Sequence, residues 1–154
     1  GLKALGIADN LDQLAVRAGE FDVVIAFNHD LFAANAAKAT ALEKIPTRIV
    51  LSAWQDATVA KATIAIGVRS WAEIRGMLIN CKDRAQLTQA CPVIANPELE
   101  PAWRVLAGFA GVTWTSEGDA FKAAQARSPR LTGLSYRTIG PMGAQLPQLA
   151  AVGA

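Results

Sequence analysis

Phe21-Asp-Val-Val-Ile-Ala-Phe27, then Leu31 to Lys44 with neither glycine nor proline, then Pro46 followed by Thr47-Arg-Ile-Val-Leu-Ser52, is the stretch that decides the fold. The two outer runs are apolar, rich in β-branched residues and of strand length. The alanine-rich middle favours helix, and Pro46 stops it, because the ring excludes the helical conformation from the residue before it. A strand, a helical crossover and a second strand make a parallel pair, since parallel neighbours need a long connection.

The alternation extends in both directions. Leu2-Lys-Ala-Leu-Gly-Ile7 reads as an earlier strand, and Asn10 to Arg17 as a helix with leucines at helical spacing behind an asparagine cap. Downstream, Asp56 is placed to cap a short helix through Ala62, and Thr63-Ile-Ala-Ile-Gly67 has strand composition. Apolar strands joined by helical crossovers give an α/β class: a three-layer, Rossmann-like or flavodoxin-like domain with a mainly parallel sheet of about four or five strands. Past residue 70 the rhythm changes to a turn at Arg75-Gly76, a short strand through Asn80, and helices near Glu100 to Gly111 and Gly118 to Ala126. Pro129, Gly133, Gly140-Pro141, Gly143 and Pro147 then suggest an irregular, extended C-terminal arm, which divides the chain into a domain over 1–127 and an arm over 128–154.

Composition bounds the function. The chain has 154 residues, 52% hydrophobic and 18% charged, enough for a real core. Its net charge of +2, from 15 Lys+Arg against 13 Asp+Glu, is scattered and argues for no nucleic-acid partner. Cys81 and Cys91 lack the close pairing of zinc or iron–sulfur ligands; a disulfide between them is open, but two free, buried thiols in a reducing cytoplasm are expected. No segment approaches the about 18 consecutive apolar residues that span a bilayer, and no basic-then-apolar leader opens the chain. Beginning Gly-Leu-Lys, it reads as a piece of something larger.

Ligands of open parallel sheets bind beyond the carboxyl ends of the strands. The loops there carry Asn28-His29-Asp30 and Ser52-Ala53-Trp54-Gln55-Asp56, so Asn28, Asp30, Trp54 and Asp56 are the candidate cofactor-binding set. Asp30 and Asp56 can accept from a base or ribose and Trp54 can stack on a ring; equally, both aspartates can simply cap the helices that follow them. Neither G-x-G-x-x-G nor G-x-x-x-x-G-K-[ST] occurs, which removes the usual phosphate cradles. His29, the single histidine, has no partnered nucleophile; a G-x-S-x-G elbow and a clustered set of acids are both missing, which disfavours serine hydrolase, metalloenzyme and phospho-acceptor chemistry. No catalytic residue and no metal ligand is assigned. Trp71, Trp103 and Trp114 read as packing anchors rather than a base-stacking platform.

The remaining polar motif is Trp71-Ala-Glu73-Ile-Arg-Gly76-Met-Leu-Ile-Asn80-Cys-Lys-Asp-Arg84-Ala-Gln86, followed by Pro101-Ala-Trp103-Arg-Val-Leu106. Preceded by Asp56-Ala-Thr58-Val-Ala-Lys-Ala62 and an apolar strand, it resembles the molybdopterin-oxidoreductase superfamily. The likeness is closest to the C-terminal part of the large iron–sulfur subunit of NADH-quinone oxidoreductase (complex I), with its "WAEKDGTFVNxEGRxQ" and "ARPDWxIL" patterns. Trp71, Glu73, Gly76, Asn80, Arg84, Gln86 and Trp103 fall in register, and Phe27-Asn-His-Asp-Leu31 is similar to the family's "GNDL" loop. The likeness covers roughly residues 1 to 112. Where the family has Lys-Asp-Gly-Thr and Glu-Gly-Arg, this chain has Ile74-Arg75-Gly76-Met77 and Lys82-Asp83-Arg84. The polar groups that line a cofactor cavity in catalytic members are the ones replaced.

The resemblance implies a noncatalytic domain supporting electron transfer from NADH to quinone through contacts with the rest of its own chain and with the other proteins of the complex. Its expected location is cytoplasmic, peripheral to the inner membrane through the parent complex. No cofactor is expected in this piece; iron–sulfur clusters belong to the parent chain. Two alternatives stand beside it. One is a fragment of a catalytic relative such as a formate dehydrogenase, holding one end of molybdopterin guanine dinucleotide; the other is a free-standing nucleotide-binding or interaction module. Within the motif, Gly76 is expected to allow a tight turn, and Asn80 and Arg84 to hydrogen-bond backbone carbonyls and pin the segment beneath the sheet.

Overall fold

Two kinds of sheet form in this chain, one parallel and one antiparallel. A computed structural model describes residues 5–7, 10–33, 36–91, 93 and 96–147. The chain divides into two compact units: Asp9–Ser70 with Asn96–Ala102, and Gly1–Ala8, Trp71–Ala95 and Trp103–Ala154.

The parallel unit runs α1 (Leu11–Val16), β1 (Val23–Phe27), α2 (Ala36–Leu42), β2 (Thr47–Ser52), α3 (Ala57–Ala60) and β3 (Ile64–Gly67). Its strands lie in the order β1-β2-β3, all parallel, with Ile25 opposite Ile49 and Ile49 opposite Ile64. The α/β class and the parallel, Rossmann-like arrangement expected from the sequence are present. Successive right-handed crossovers in the same direction place their helices on one face. On that face Ala18, Leu42 and Ile45 form a buried cluster with Leu14, Phe21, Val24, Leu31 and Phe32 against it. The alternate residues of β1 point the other way. Val23, Ile25 and Phe27 remain about half exposed, as does Ile64 on β3, so the opposite face is the less covered of the two.

Arg48 locks the start of β2. Its Nε donates to the Lys61 carbonyl at 2.8 Å and its guanidinium to the Ile45 and Glu43 carbonyls at 2.6 and 3.2 Å, joining the end of α2 to the end of α3. Of the strand expected at Leu2–Ile7, residues 2–4 lie outside the described residues. Leu5–Ile7 is not extended as a strand, because the chain turns at Gly6 with a left-handed φ of 69°.

The antiparallel unit contains β4 (Gly76–Ile79), β5 (Arg84–Thr88), α5 (Glu117–Arg127), α6 (Tyr136–Ile139) and β6 (Ala144–Gln145); α4 (Ala102–Phe109) starts at the division between the units. Here β4 and β5 form a hairpin and β6 adds to the free side of β5. Ser116 opens α5 with a capping box: its hydroxyl accepts from the Asp119 N–H, and the Asp119 carboxylate accepts from the Ser116 N–H. The hydrogen bonds from Thr115 and Ser116 hold the Asp119 carboxyl below its ordinary range.

Residues 129–147 correct the expectation of an extended arm. Leu131, Ile139 and Leu146 are almost wholly buried and join Ala85 and Phe121 in one core cluster. The glycines and prolines mark short turns between anchored apolar residues rather than an absence of structure. Gln125 donates to the Leu131 and Leu134 carbonyls, and Arg130 donates to the Pro147 carbonyl while its guanidinium lies 3.1 Å from the Asp83 carboxylate. Among the described residues no helix is long and apolar enough to cross a membrane.

Candidate functional site

At the carboxyl end of the parallel sheet the four candidate side chains turn largely inward. Asn28 takes a left-handed φ of 45°, and its Oδ1 accepts from the Ala53 N–H at 3.1 Å, tying the loop after β1 to the loop after β2. Asp30 Oδ1 accepts from the Phe32 and Ala33 N–H groups and, at 2.9 Å, from the buried Thr58 hydroxyl. Lost hydration opposes ionisation of Asp30, but the hydrogen bonds from Thr58, Ala33, Ala57 and Phe32 outweigh it and hold its carboxyl below the usual range. Asp56 caps α3, accepting from the Val59 N–H at 2.8 Å. Only Trp54 is presented outward, 52% exposed, while Ser52 Oγ both donates to the Trp54 carbonyl and accepts from its N–H.

Both aspartates therefore commit one carboxylate oxygen, Oδ1, to neighbouring backbone N–H groups, as caps do. Thr58 is the residue of this loop cluster that sequence reasoning misses. Its place in the Asp56-Ala-Thr58 motif is the available signal, but its partner Asp30 lies across the sheet end, beyond what spacing along the chain can reveal.

The motif at Trp71–Gln86 folds onto itself. Asn80 Oδ1 accepts from the Lys82 and Arg84 N–H groups at 2.9 and 3.0 Å, shaping the hairpin turn, and its Nδ2 donates to Gln86 Oε1 at 3.1 Å. Arg84 Nε donates to the Met142 carbonyl at 2.8 Å and its terminal nitrogen to the Gly143 carbonyl at 3.2 Å. The carbonyl contacts expected of Arg84 are thus made, whereas Asn80 accepts from backbone N–H groups and donates to the Gln86 side chain instead of to a carbonyl. Glu73 closes a single 3-10 turn with Trp71.

Three expectations about this region are corrected. Gly76 is no tight turn: it opens β4, and a Cβ there would stand 3.4 Å from Thr88 Oγ1, at the edge of ordinary contact. The glycine that matters is Gly143, with φ 75°, where a Cβ would stand only 2.5 Å from the Ala85 carbonyl oxygen. Trp71 is 63% exposed and is not a packing anchor. Cys81 and Cys91 are free, as expected, but exposed rather than buried, because one lies in the hairpin turn and the other past the end of β5.

Trp103 has a different place. It lines a cavity of about 340 Å³ within the antiparallel unit, together with Met77, Ile79, Phe121, Ala124 and Leu131. Arg75, Glu117 and Tyr136 supply its polar lining. The Arg75 guanidinium lies 4.7 Å from the Tyr136 ring centroid and 3.9 Å from the Glu117 carboxylate. Burial raises the Tyr136 pKa and Glu117 raises it further, while Arg75 opposes both. Among the described residues no group of three or more His, Cys, Asp or Glu is arranged to hold a metal ion. No protein-family model matches the chain, and no curated protein matches it.

Proposed function

We propose that this chain is a noncatalytic structural domain of the kind found in the large iron–sulfur subunit of NADH-quinone oxidoreductases, supporting electron transfer by packing and by contacts within the complex. The observation that carries the reading is the disposition of Arg84. The motif's most versatile ligand-binding side chain commits its Nε and one terminal nitrogen to the carbonyls of Met142 and Gly143, as a residue kept for folding would. Asn80 and Gln86 bond to each other, which supports the same reading. The partners are then the rest of the parent chain and its neighbours in the complex, and the membrane is reached only through them.

Native electrophoresis of membranes from the source cells tests this. Peptides of this chain are expected in the band that oxidises NADH with an artificial electron acceptor. Peptides found only outside that band would reject the assignment.

The outward Trp54 ring favours one further reading, a remnant of a site for the guanosine end of molybdopterin guanine dinucleotide. Titration with GDP, followed by Trp54-dependent fluorescence in wild type and Trp54→Leu, distinguishes it. The inward bonding of Asn28, Asp30 and Asp56 leads us to expect no saturable response.

A further inference from the structure

We propose that the cavity of the antiparallel unit binds a small hydrophobic carboxylate, an aromatic or short aliphatic acid. The volume of about 340 Å³ falls within the range of small-molecule sites, and the walls are apolar: Met77 of β4, Trp103 of α4, Phe121 and Ala124 of α5, and Leu131. Such walls accept a hydrocarbon body. The orientation of the ligand is set by Arg75, Glu117 and Tyr136.

Of these three groups Arg75 is the one that engages an anion, and the selectivity rests on its fork outweighing the like charge of Glu117 beside it. Arg75 is held by stacking on Tyr136, 4.7 Å from the ring centroid, so its planar fork is positioned before a ligand arrives. Its ion pair with Glu117 is long, 3.9 Å, and leaves room for a tighter acceptor. Glu117 is the first residue of α5, where the helix dipole offers it a second favourable partner. A ligand carboxylate can therefore take the guanidinium without stranding Glu117. A cationic ligand pairing with Glu117 would have to displace Arg75 from beside it, and a neutral one would leave the fork unused.

The test uses the full chain and two probes of matched shape, 2-naphthoate and 2-naphthalenemethanol, with isothermal titration calorimetry and amide NMR shifts. Naphthoate is expected to bind saturably, with the alcohol weaker by about tenfold or more, the scale of a charge-assisted bidentate contact. Arg75→Gln should bring the acid down to the affinity of the alcohol while leaving alcohol binding in place. Ala124→Leu, which fills the apolar end, should weaken both probes; if that variant does not fold by far-UV circular dichroism, the exposed Arg75→Gln decides alone. Absence of saturable naphthoate binding, equal affinity for the two probes, or an undiminished acid preference in Arg75→Gln would overturn the proposal.

Discussion

Each unit is locked by an arginine that donates to backbone carbonyls, yet the two arginines work over very different lengths of chain. Arg48 in the parallel unit reaches Glu43, Ile45 and Lys61, all within 13 positions. Arg84 in the antiparallel unit reaches Met142 and Gly143, 58 and 59 positions away. The parallel unit is assembled mainly by neighbouring strand–helix–strand steps, with one returning segment, Asn96–Ala102, held where Arg69 Nε donates to the Leu99 carbonyl 30 positions on; the antiparallel unit is closed by a return about twice as long. Local assembly is readable from periodicity; return is not, because no repeat in the hairpin announces which later residues will cover it.

The comparison breaks most sharply at Gly143. Replacing it with Val sets a side chain in a left-handed backbone and against the Ala85 carbonyl, so a loss of about 2–5 kcal/mol is expected in urea unfolding. Loss of hydrogen-exchange protection at Ala144 and Leu146 would locate the damage. A loss below the scatter of the measurement would mean that β6 does not close the unit. Leu131→Ala should cost about 2–5 kcal/mol by emptying a fully buried position, which a neutral result would contradict.

The two clamps can be set against each other directly. Arg84→Ala and Arg48→Ala are each expected to lose about 1–2 kcal/mol, the net worth of a few hydrogen bonds whose carbonyls are in part open to water. Lysine should restore neither in full, since an ammonium lacks the fork that engages separate carbonyls. If the Arg84 clamp closes a late, non-local contact, Arg84→Ala should act mainly on the unfolding rate. A drop confined to its refolding rate would place that contact early instead. Thr58→Val in the parallel unit should cost about 1 kcal/mol, since it removes the hydroxyl that serves Asp30.

The smallest expected effect is a pH dependence. Asp119 has a depressed folded pKa, so its contribution is fully present above the ordinary unfolded carboxylate value and is lost as pH falls through the folded one. Urea midpoints taken from neutral into acid should therefore fall less steeply for Asp119→Asn than for wild type. Parallel curves would show that the capping box carries no such linkage.

Strand–helix alternation over Phe21 to Gly67 places β1, β2, β3 and the Asp56 cap close to where they lie. Their signals are short-range: apolar period, proline stop and cap spacing. The helices α4 and α5 are legible for the same reason. β5 is not, since Arg84-Ala-Gln-Leu-Thr88 gains its strand state from partners on both sides rather than from its own composition. The region after Ser128 misleads because glycine and proline suggest looseness, while Leu131, Ile139 and Leu146 supply burial at wide spacing. In the loop cluster, residue types are legible but their direction is not, because Asn28 Oδ1 and Asp30 Oδ1 turn to the Ala53 N–H and the Thr58 hydroxyl, partners 25 and 28 positions away.

The distance along the chain between Arg84 and Met142 also sets an order of events during synthesis. The β4–β5 hairpin leaves the ribosome with the outer edge of β5 uncovered, and 58 further positions must be added before the carbonyl that Arg84 grips exists. Over that interval the nascent hairpin presents an open strand edge, the kind of surface that pairs with other chains. The bonds of Asn80 with Gln86 and Arg84 lie within the hairpin itself, so holding its turn in register needs none of those later residues.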